Sequence, residues 1–242
     1  MSYKIINIKD IYNSLGEKET KEILNNYKCE LNNDVEYFLK EKAIVFSKQD
    51  IAKTFIVMTK YEDIDVIVGY FAIANKGISI KNVLLSNTKR KKLLKYSKYD
   101  IKSKCYNIAL PLIGQLGKNY CNGYNNLISG NILLKLACGK VKEAQDILGG
   151  RFVFLECEDE PKLKEFYEEN GFVCFAKRRL ERDEKKILEN IYYKCCAIWQ
   201  YIKDKRINNI WSKNWVYLKF QKSRHTNKNI NIYLKYRKEI WR

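Results

Sequence analysis

Histidine is nearly missing from this 242-residue chain: His225 is the single one. The eight cysteines (Cys29, Cys105, Cys121, Cys138, Cys157, Cys174, Cys195, Cys196) contain no CxxC pair. A zinc or disulfide framework needs tighter cysteine spacing and more histidine, so no metal site is expected and the thiols read as reduced and structural. No apolar run reaches the roughly 18 residues that cross a bilayer, and no membrane association is expected. The opening Met1-Ser2-Tyr3-Lys4-Ile5-Ile6-Asn7 alternates like a strand and lacks the layout of a signal peptide, which points to the cytoplasm. No repeat occurs at solenoid periods. The two prolines and eleven glycines all precede residue 177.

What is present is apolar residue and positive charge. Hydrophobic residues make up 46% of the chain and aromatics 13%, enough for a sizeable core. The formal net charge is +18. Lys, Asn, Ile and Tyr are all abundant, as an AT-rich gene would produce, and that accounts for part of the excess. The rest is a matter of position. Residues 177–242 hold 19 Lys and Arg against 6 acidic residues, whereas residues 1–176 hold 27 against 22. All four tryptophans (Trp199, Trp211, Trp215, Trp241) lie in the later stretch. Two differently composed pieces are expected, residues 1–180 and 181–242.

The first piece reads as alternating strands and helices. A strand at 3–8 leads to a helix around 11–29, and a second helix begins near Asn33-Asp34 with Val35, Phe38 and Leu39 on one face. Runs 53–60 and 64–75, split by Tyr61-Glu62-Asp63, read as a hairpin. A basic helix at 87–97 precedes a strand at 108–118. The stretch 129–148 is the longest expected helix, with Leu133, Leu136, Ala137, Val141, Ala144 and Leu148 at three- and four-residue steps before Gly149-Gly150. A strand at 151–157, a helix from Pro161 to Asn170 and a strand at 172–176 follow. Strands joined through helices imply an α/β fold, a mixed sheet with parallel members.

Two segments carry chemistry. In the first, the strand Leu110-Pro111-Leu112-Ile113-Gly114-Gln115-Leu116-Gly117-Lys118 runs through a loop into the helix start Ser129-Gly130-Asn131. A helix N-terminus offers unpaired N–H groups and about half a positive charge to a phosphate. Taken alone, Gly130 reads first as a plain turn device. The second is Phe166-Tyr167-Glu168-Glu169-Asn170-Gly171-Phe172. Taken alone, Tyr167 reads first as a core or interface residue.

In this order and spacing the two segments resemble the GNAT (Gcn5-related N-acetyltransferase) family over roughly residues 53–177. The resemblance implies a central mixed sheet with splayed middle strands, flanked by helices, and acetyl-CoA as co-substrate. It implies that the pantetheine arm lies along Gln115, Leu116, Gly117 and Lys118. The pyrophosphate would meet Asn125, Asn126, Ser129, Gly130 and Asn131. It further implies that Tyr167 protonates the departing CoA thiolate, and a phenol of pKa about 10 suits that task. The loop Asn125-Asn126-Leu127-Ile128-Ser129-Gly130 departs from the family's Q/R-x-x-G-x-G/A, keeping the final glycine and running about two residues longer. Glu156 and Glu158, at the end of the strand before the tyrosine helix, read first as solvated surface residues and are also the candidates for general base. The strand around residues 109–116 also looks like the GNAT subgroup whose toxins acetylate aminoacyl-tRNA.

In the second piece, residues 184–210 read as a helix, 215–220 as a last strand, and 221–242 as a basic tail with interleaved aromatics suited to nucleic acid or to solvent. The expected protein is an N-acetyltransferase whose amine acceptor is open, with tRNA or another nucleic acid as a partner and a homodimer as an assembly. The alternative is a non-catalytic nucleic-acid-binding protein on the same scaffold.

Overall fold

The structure, a computed structural model, describes residues 1–179 and 193–200. Strand β1 (Lys4–Asn7) passes into helix α1 (Ile8–Leu15), with the Asn7 side chain accepting from the N–H of Lys9. The single helix expected over 11–29 is two. Gly16, at φ 91°, ends α1 and opens α2 (Glu17–Leu24), a backbone angle that a Cβ would strain. Helix α3 (Asn33–Tyr37) continues through one wide turn, Phe38–Lys42, into α4 (Ala43–Lys48). Its cap is Asn32, whose Oδ1 accepts from the N–H groups of Asp34 and Val35.

Strands β2 (Ala52–Tyr61) and β3 (Ile64–Lys81) form the expected hairpin, with Glu62 and Asp63 both at positive φ in the turn. β3 runs six residues beyond the expected end at 75 because β5 (Cys105–Lys118) pairs with it along the whole length, Lys81↔Cys105 to Gly69↔Lys118. Between them lie α5 (Asn87–Leu94) and the short β4 (Lys98–Asp100), the latter paired with the start of β5. Helix α6 (Gly130–Leu148), strand β6 (Phe152–Glu158), helix α7 (Pro161–Glu169) and strand β7 (Val173–Arg179) follow within a residue or two of expectation, β7 running three residues further. On α6, Leu148 is exposed. Gln145 takes a buried place instead, donating its Nε2 to the Phe152 carbonyl at 2.8 Å.

Residues 193–200 overturn the helix expected over 184–210. They form β8 (Tyr193–Gln200), inserted between β6 and β7. Tyr, Cys, Ile and Trp in this run favour a strand, and antiparallel partners on both sides supply its backbone hydrogen bonds. The sheet therefore takes in residues beyond the compositional boundary near 180. The strand expected at 215–220 and the tail at 221–242 lie outside the described residues. The thiols are not all reduced either: Cys29, Cys105, Cys121, Cys138 and Cys157 are free, but Cys174 is disulfide-bonded.

The sheet order is β1-β2-β3-β5-β6-β8-β7, with β4 on β5, and every neighbouring pair is antiparallel except β5–β6. Alternation along β2 and β3 divides the core by face. Ile56, Met58, Ile67 and Tyr70 pack with α1–α4. Val57, Val66, Val68 and Phe71 pack with α6 on the other face. Among the described residues no helix is long and apolar enough to cross a membrane.

Candidate functional site

The site begins with a defect in β5. Ala72 pairs with Gln115 and Ile73 with Ile113, so Gly114 is an extra residue, a β-bulge that bends the strand. On its other side β5 pairs with β6 only at Leu112↔Phe154 and Ile113↔Leu155. Past the bulge the two parallel strands diverge. The resulting cleft holds a cavity of about 540 Å³, lined by residues 113–118 of β5, 156–158 at the end of β6, Gly130 and Leu133 of α6, and Leu163, Phe166 and Tyr167 of α7. Its remaining wall is the α2–α3 corner, with Asn32, Asp34 and Val35. Cavities of this size with a few convergent polar groups are the usual form of small-molecule sites.

Of the residues expected to hold a cofactor, Leu116, Gly117, Lys118 and Gly130 line this cavity; Asn125, Asn126, Ser129 and Asn131 have local tasks around it. Gly117 is glycine for packing: a Cβ there would collide with the Tyr27 hydroxyl and a Val35 methyl. Lys118 Nζ donates to the Asn125 carbonyl at 3.1 Å, and Asn125 Nδ2 donates to Asn126 Oδ1. The loop between β5 and α6 is a compact 3₁₀ segment, Cys121–Leu127, interrupted by positive φ at Asn122 and Gly123. Buried Asn119 pins it, accepting from the N–H groups of Lys28 and Cys121 and donating to the Asn26 and Ile67 carbonyls. Ser129 caps α6, its Oγ accepting from the Ile132 N–H at 3.2 Å. The N–H groups of Gly130 and Asn131 have no partner inside the helix. A Cβ on Gly130 would sit 3.2 Å from the Phe166 ring, so glycine here brings α7 close against the α6 start. Asn131 Oδ1 accepts from Asn170 Nδ2 at 3.0 Å and ties the same two helices.

Tyr167 stands in α7 between Phe166 and Phe172, edge-to-face with both at 4.9 and 5.8 Å. The turn that follows is set by Gly171 at φ 83° and by the Phe172 N–H donating to the Tyr167 carbonyl. Burial raises the pKa of the Tyr167 phenol, with the thiols of Cys157 and Cys138 adding to the effect. Cys138 is itself pushed up to about 12 by burial. The phenol therefore keeps its proton through neutral pH and beyond.

The opposite wall is polar. Glu156, at 10% side-chain exposure, is held by the Lys76 ammonium at 3.1 Å. Solvation does not account for it. Asn32 Nδ2 donates to Glu158 Oε1 at 2.6 Å, and Gln115 Nε2 donates to Asp34 Oδ2 at 3.1 Å. Asn32, Asp34 and Lys76 were not expected at a site. The run Asn32-Asn33-Asp34 announces a helix cap, and nothing local connects it to Glu158, 126 residues away. Among the described residues no group of three or more His, Cys, Asp or Glu could hold a metal ion.

No family model matches the chain, and no curated protein matches it. Solved structures do. AtaT complexed with acetyl-methionyl-tRNAfMet matches over 87% of this chain and 99% of its own, with a TM-score of 0.55 and 17% identity. A tyrosine-to-phenylalanine mutant of KacT matches over 81% and 94%, at 0.51 and 17%. A tyrosine-to-phenylalanine mutant of the toxin AtaT, bound to the C-terminus of the antitoxin AtaR and acetyl-CoA, matches over 88% and 99%, at 0.50 and 14%. At 17% identity or less these likenesses show a shared fold: the chain has the α/β architecture of the AtaT and KacT toxin structures.

Proposed function

We propose that this protein is an N-acetyltransferase that moves an acetyl group from acetyl-CoA to an amine by direct attack. The observation that carries the reading is the β5 edge, opened by the Gly114 bulge and the divergence from β6, with Tyr167 facing the same cavity. The residues present fit such a substrate. Unpaired backbone groups past Ile113 suit the amides of a pantetheine arm, Leu116, Leu133 and Phe166 suit its apolar stretches, and the Gly130 and Asn131 N–H groups suit a phosphate. Two of the matching structures are described as complexes with acetyl-methionyl-tRNAfMet and with acetyl-CoA.

In this reading Tyr167 donates its proton to the departing thiolate sulfur. Its raised pKa keeps the phenol protonated at neutral pH, so that a proton is available as negative charge develops on the sulfur. Glu156 lies on the acceptor wall, where it takes the proton released by the amine, directly or through water. Lys76 fixes the orientation of that carboxylate. Asn32 and Glu158 join the α2–α3 corner to the end of β6 and set the width of the acceptor entrance.

Acetyl-CoA binding tests the reading. Because only the folded state binds the ligand, a hundredfold excess over Kd stabilises by about 2.7 kcal/mol. A rise in melting temperature is expected, and Gly130→Asp, which sets a carboxylate at the phosphate position, should abolish it. No shift at millimolar acetyl-CoA would favour a non-catalytic nucleic-acid-binding protein on this scaffold. Aminoacyl-tRNA as acceptor is the second reading, supported by the described AtaT complex and by the basic residues 221–242.

A further inference from the structure

The chain's net charge has an address. Residues 81–104 carry nine Lys and Arg against the single acidic Asp100, and residues 201–242 carry twelve against two. Everything else in the chain balances, 25 basic residues against 25 acidic, so these two stretches account for the whole +18.

The fold places the first stretch at the end of β5 remote from the cavity. Lys81 ends β3 opposite Cys105, while Lys98 and Asp100 of β4 pair with Asn107 and Cys105 on the other side of β5. Helix α5 is fastened there by Leu85 and Leu93, buried against Tyr106 and Phe152. Arg90 Nε donates to the Asn82 carbonyl at 3.2 Å. The aromatic Tyr96 stands edge-on to Phe152 with the Arg151 guanidinium over its ring, which adds a tenth cation. Strand β8 ends at this same end of the sheet, with Gln200 opposite Phe152.

Two observations separate this ridge from an ordinary solvated face. First, the ion pairs among the described residues lie elsewhere: Lys4, Lys9, Lys21, Lys40, Lys48, Lys53, Lys76, Lys140, Lys142, Lys164 and Lys177 each meet a carboxylate, and among the described side chains of this stretch Lys81, Arg90, Lys91, Lys95, Lys98, Lys102 and Lys104 do not. Second, Lys81, Lys91, Lys95, Lys98, Lys102 and Lys104 are all exposed, on four different local elements, and Asp100, beside Lys98, is the single carboxylate of the stretch to offset their mutual repulsion. We infer that the α5–β4 ridge, residues 81–104 with Arg151, is a docking surface for the phosphate backbone of a nucleic-acid duplex. A polyanion with regularly spaced charge answers cations spread over a helix, a strand and a turn. A bilayer does not suit it, because an interfacial helix needs a broad apolar face. The exposed apolar residues of the ridge, Val83 and Leu84 before α5, Leu94 and Tyr96 at its end and Ile101 after β4, are spread over separate elements and do not form one helix face.

This inference does not depend on the catalytic reading, and acetyl-CoA binding measured in parallel keeps the two apart. The probe is a fluorescein-labelled 20-base-pair DNA duplex, titrated with the full chain at several KCl concentrations. Two variants are compared, Lys91→Gln/Lys95→Gln/Lys98→Gln/Lys102→Gln on the ridge and Lys18→Gln/Lys28→Gln/Lys42→Gln/Lys60→Gln away from it. Each phosphate contact contributes about 0.9 to the slope of log K against log salt. The ridge variant should lose roughly 3 from that slope and at least about tenfold in affinity near 0.1 M salt, while the control set changes it little. Equal losses from both sets would reduce the effect to net charge and overturn the inference. So would wild-type binding in the ridge variant, or phosphatidylserine vesicles or polyglutamate competing as well as duplex. Should the fourfold variant fail to fold, Lys91→Gln/Lys95→Gln reads the same slope with about half the loss.

Discussion

The Tyr167 hydroxyl is where the proposed chemistry is most exposed to disproof. Its ring is fixed by Phe166 and Phe172, so removing one oxygen leaves the packing that orients α7. Tyr167→Phe should therefore fold normally and bind acetyl-CoA nearly as the parent does, yet lose about 10²–10⁴-fold in kcat if the phenol is a positioned general acid. Steady-state rates beside calorimetric acetyl-CoA titration separate this from a packing role, in which kcat would be unchanged. The raised pKa adds a sign. An unperturbed tyrosine gives up its proton near pH 10. Burial moves this one higher, so kcat should show no fall from Tyr167 ionisation as pH rises to 10. A falling limb near pH 9 that vanishes in Tyr167→Phe would contradict the burial argument.

At the scale of elements, the cavity exists because a short helix is tied to the sheet across a long stretch of chain. Asn32 does two things at once: its Oδ1 caps α3 and its Nδ2 holds Glu158. Asn32→Ala removes both, about 1 kcal/mol for the cap and a comparable amount for the charged hydrogen bond. Asn32→Asp keeps the cap acceptor and sets two carboxylates together. Urea unfolding should rank wild type above Asn32→Ala by roughly 2 kcal/mol, and Glu158→Gln should rescue Asn32→Asp by restoring a donor.

These elements also show what a sequence can carry. Helix α6 was legible because nineteen residues repeat one apolar stripe between a serine cap and a glycine stop. β5 and α7 were legible because their motif residues lie close together in the chain. The helix expected over 184–210 failed because Ile187, Ile191, Cys195, Ile198 and Ile202 satisfy helical spacing, while the strand at 193–200 is decided by β6 and β7, which spacing cannot reveal. The polar wall of the cavity was hidden for the same reason. Lys76 meets Glu156 across 80 residues, and no local pattern announces such a pair.

The whole molecule is electrically divided, with a charge-balanced body that contains the cavity and a cationic end formed where β3, β4 and β5 meet. This division yields a prediction about residues 221–242, which hold seven Lys and Arg against one acidic residue. The cavity is built from residues 29–167, so a chain ending at Phe220 should retain the full thermal shift with acetyl-CoA. Duplex affinity should fall and its salt dependence should flatten, because fewer counterions are released when fewer phosphates are met. It should not vanish, since the α5–β4 ridge remains and carries its own share of the slope. Removing the ridge charges from the shortened chain should then take most of what is left, the two losses adding as separated sites do. A shortened chain that unfolds would instead assign 221–242 to the structure of the body. One that binds duplex with an unchanged slope would take the segment out of nucleic-acid contact altogether.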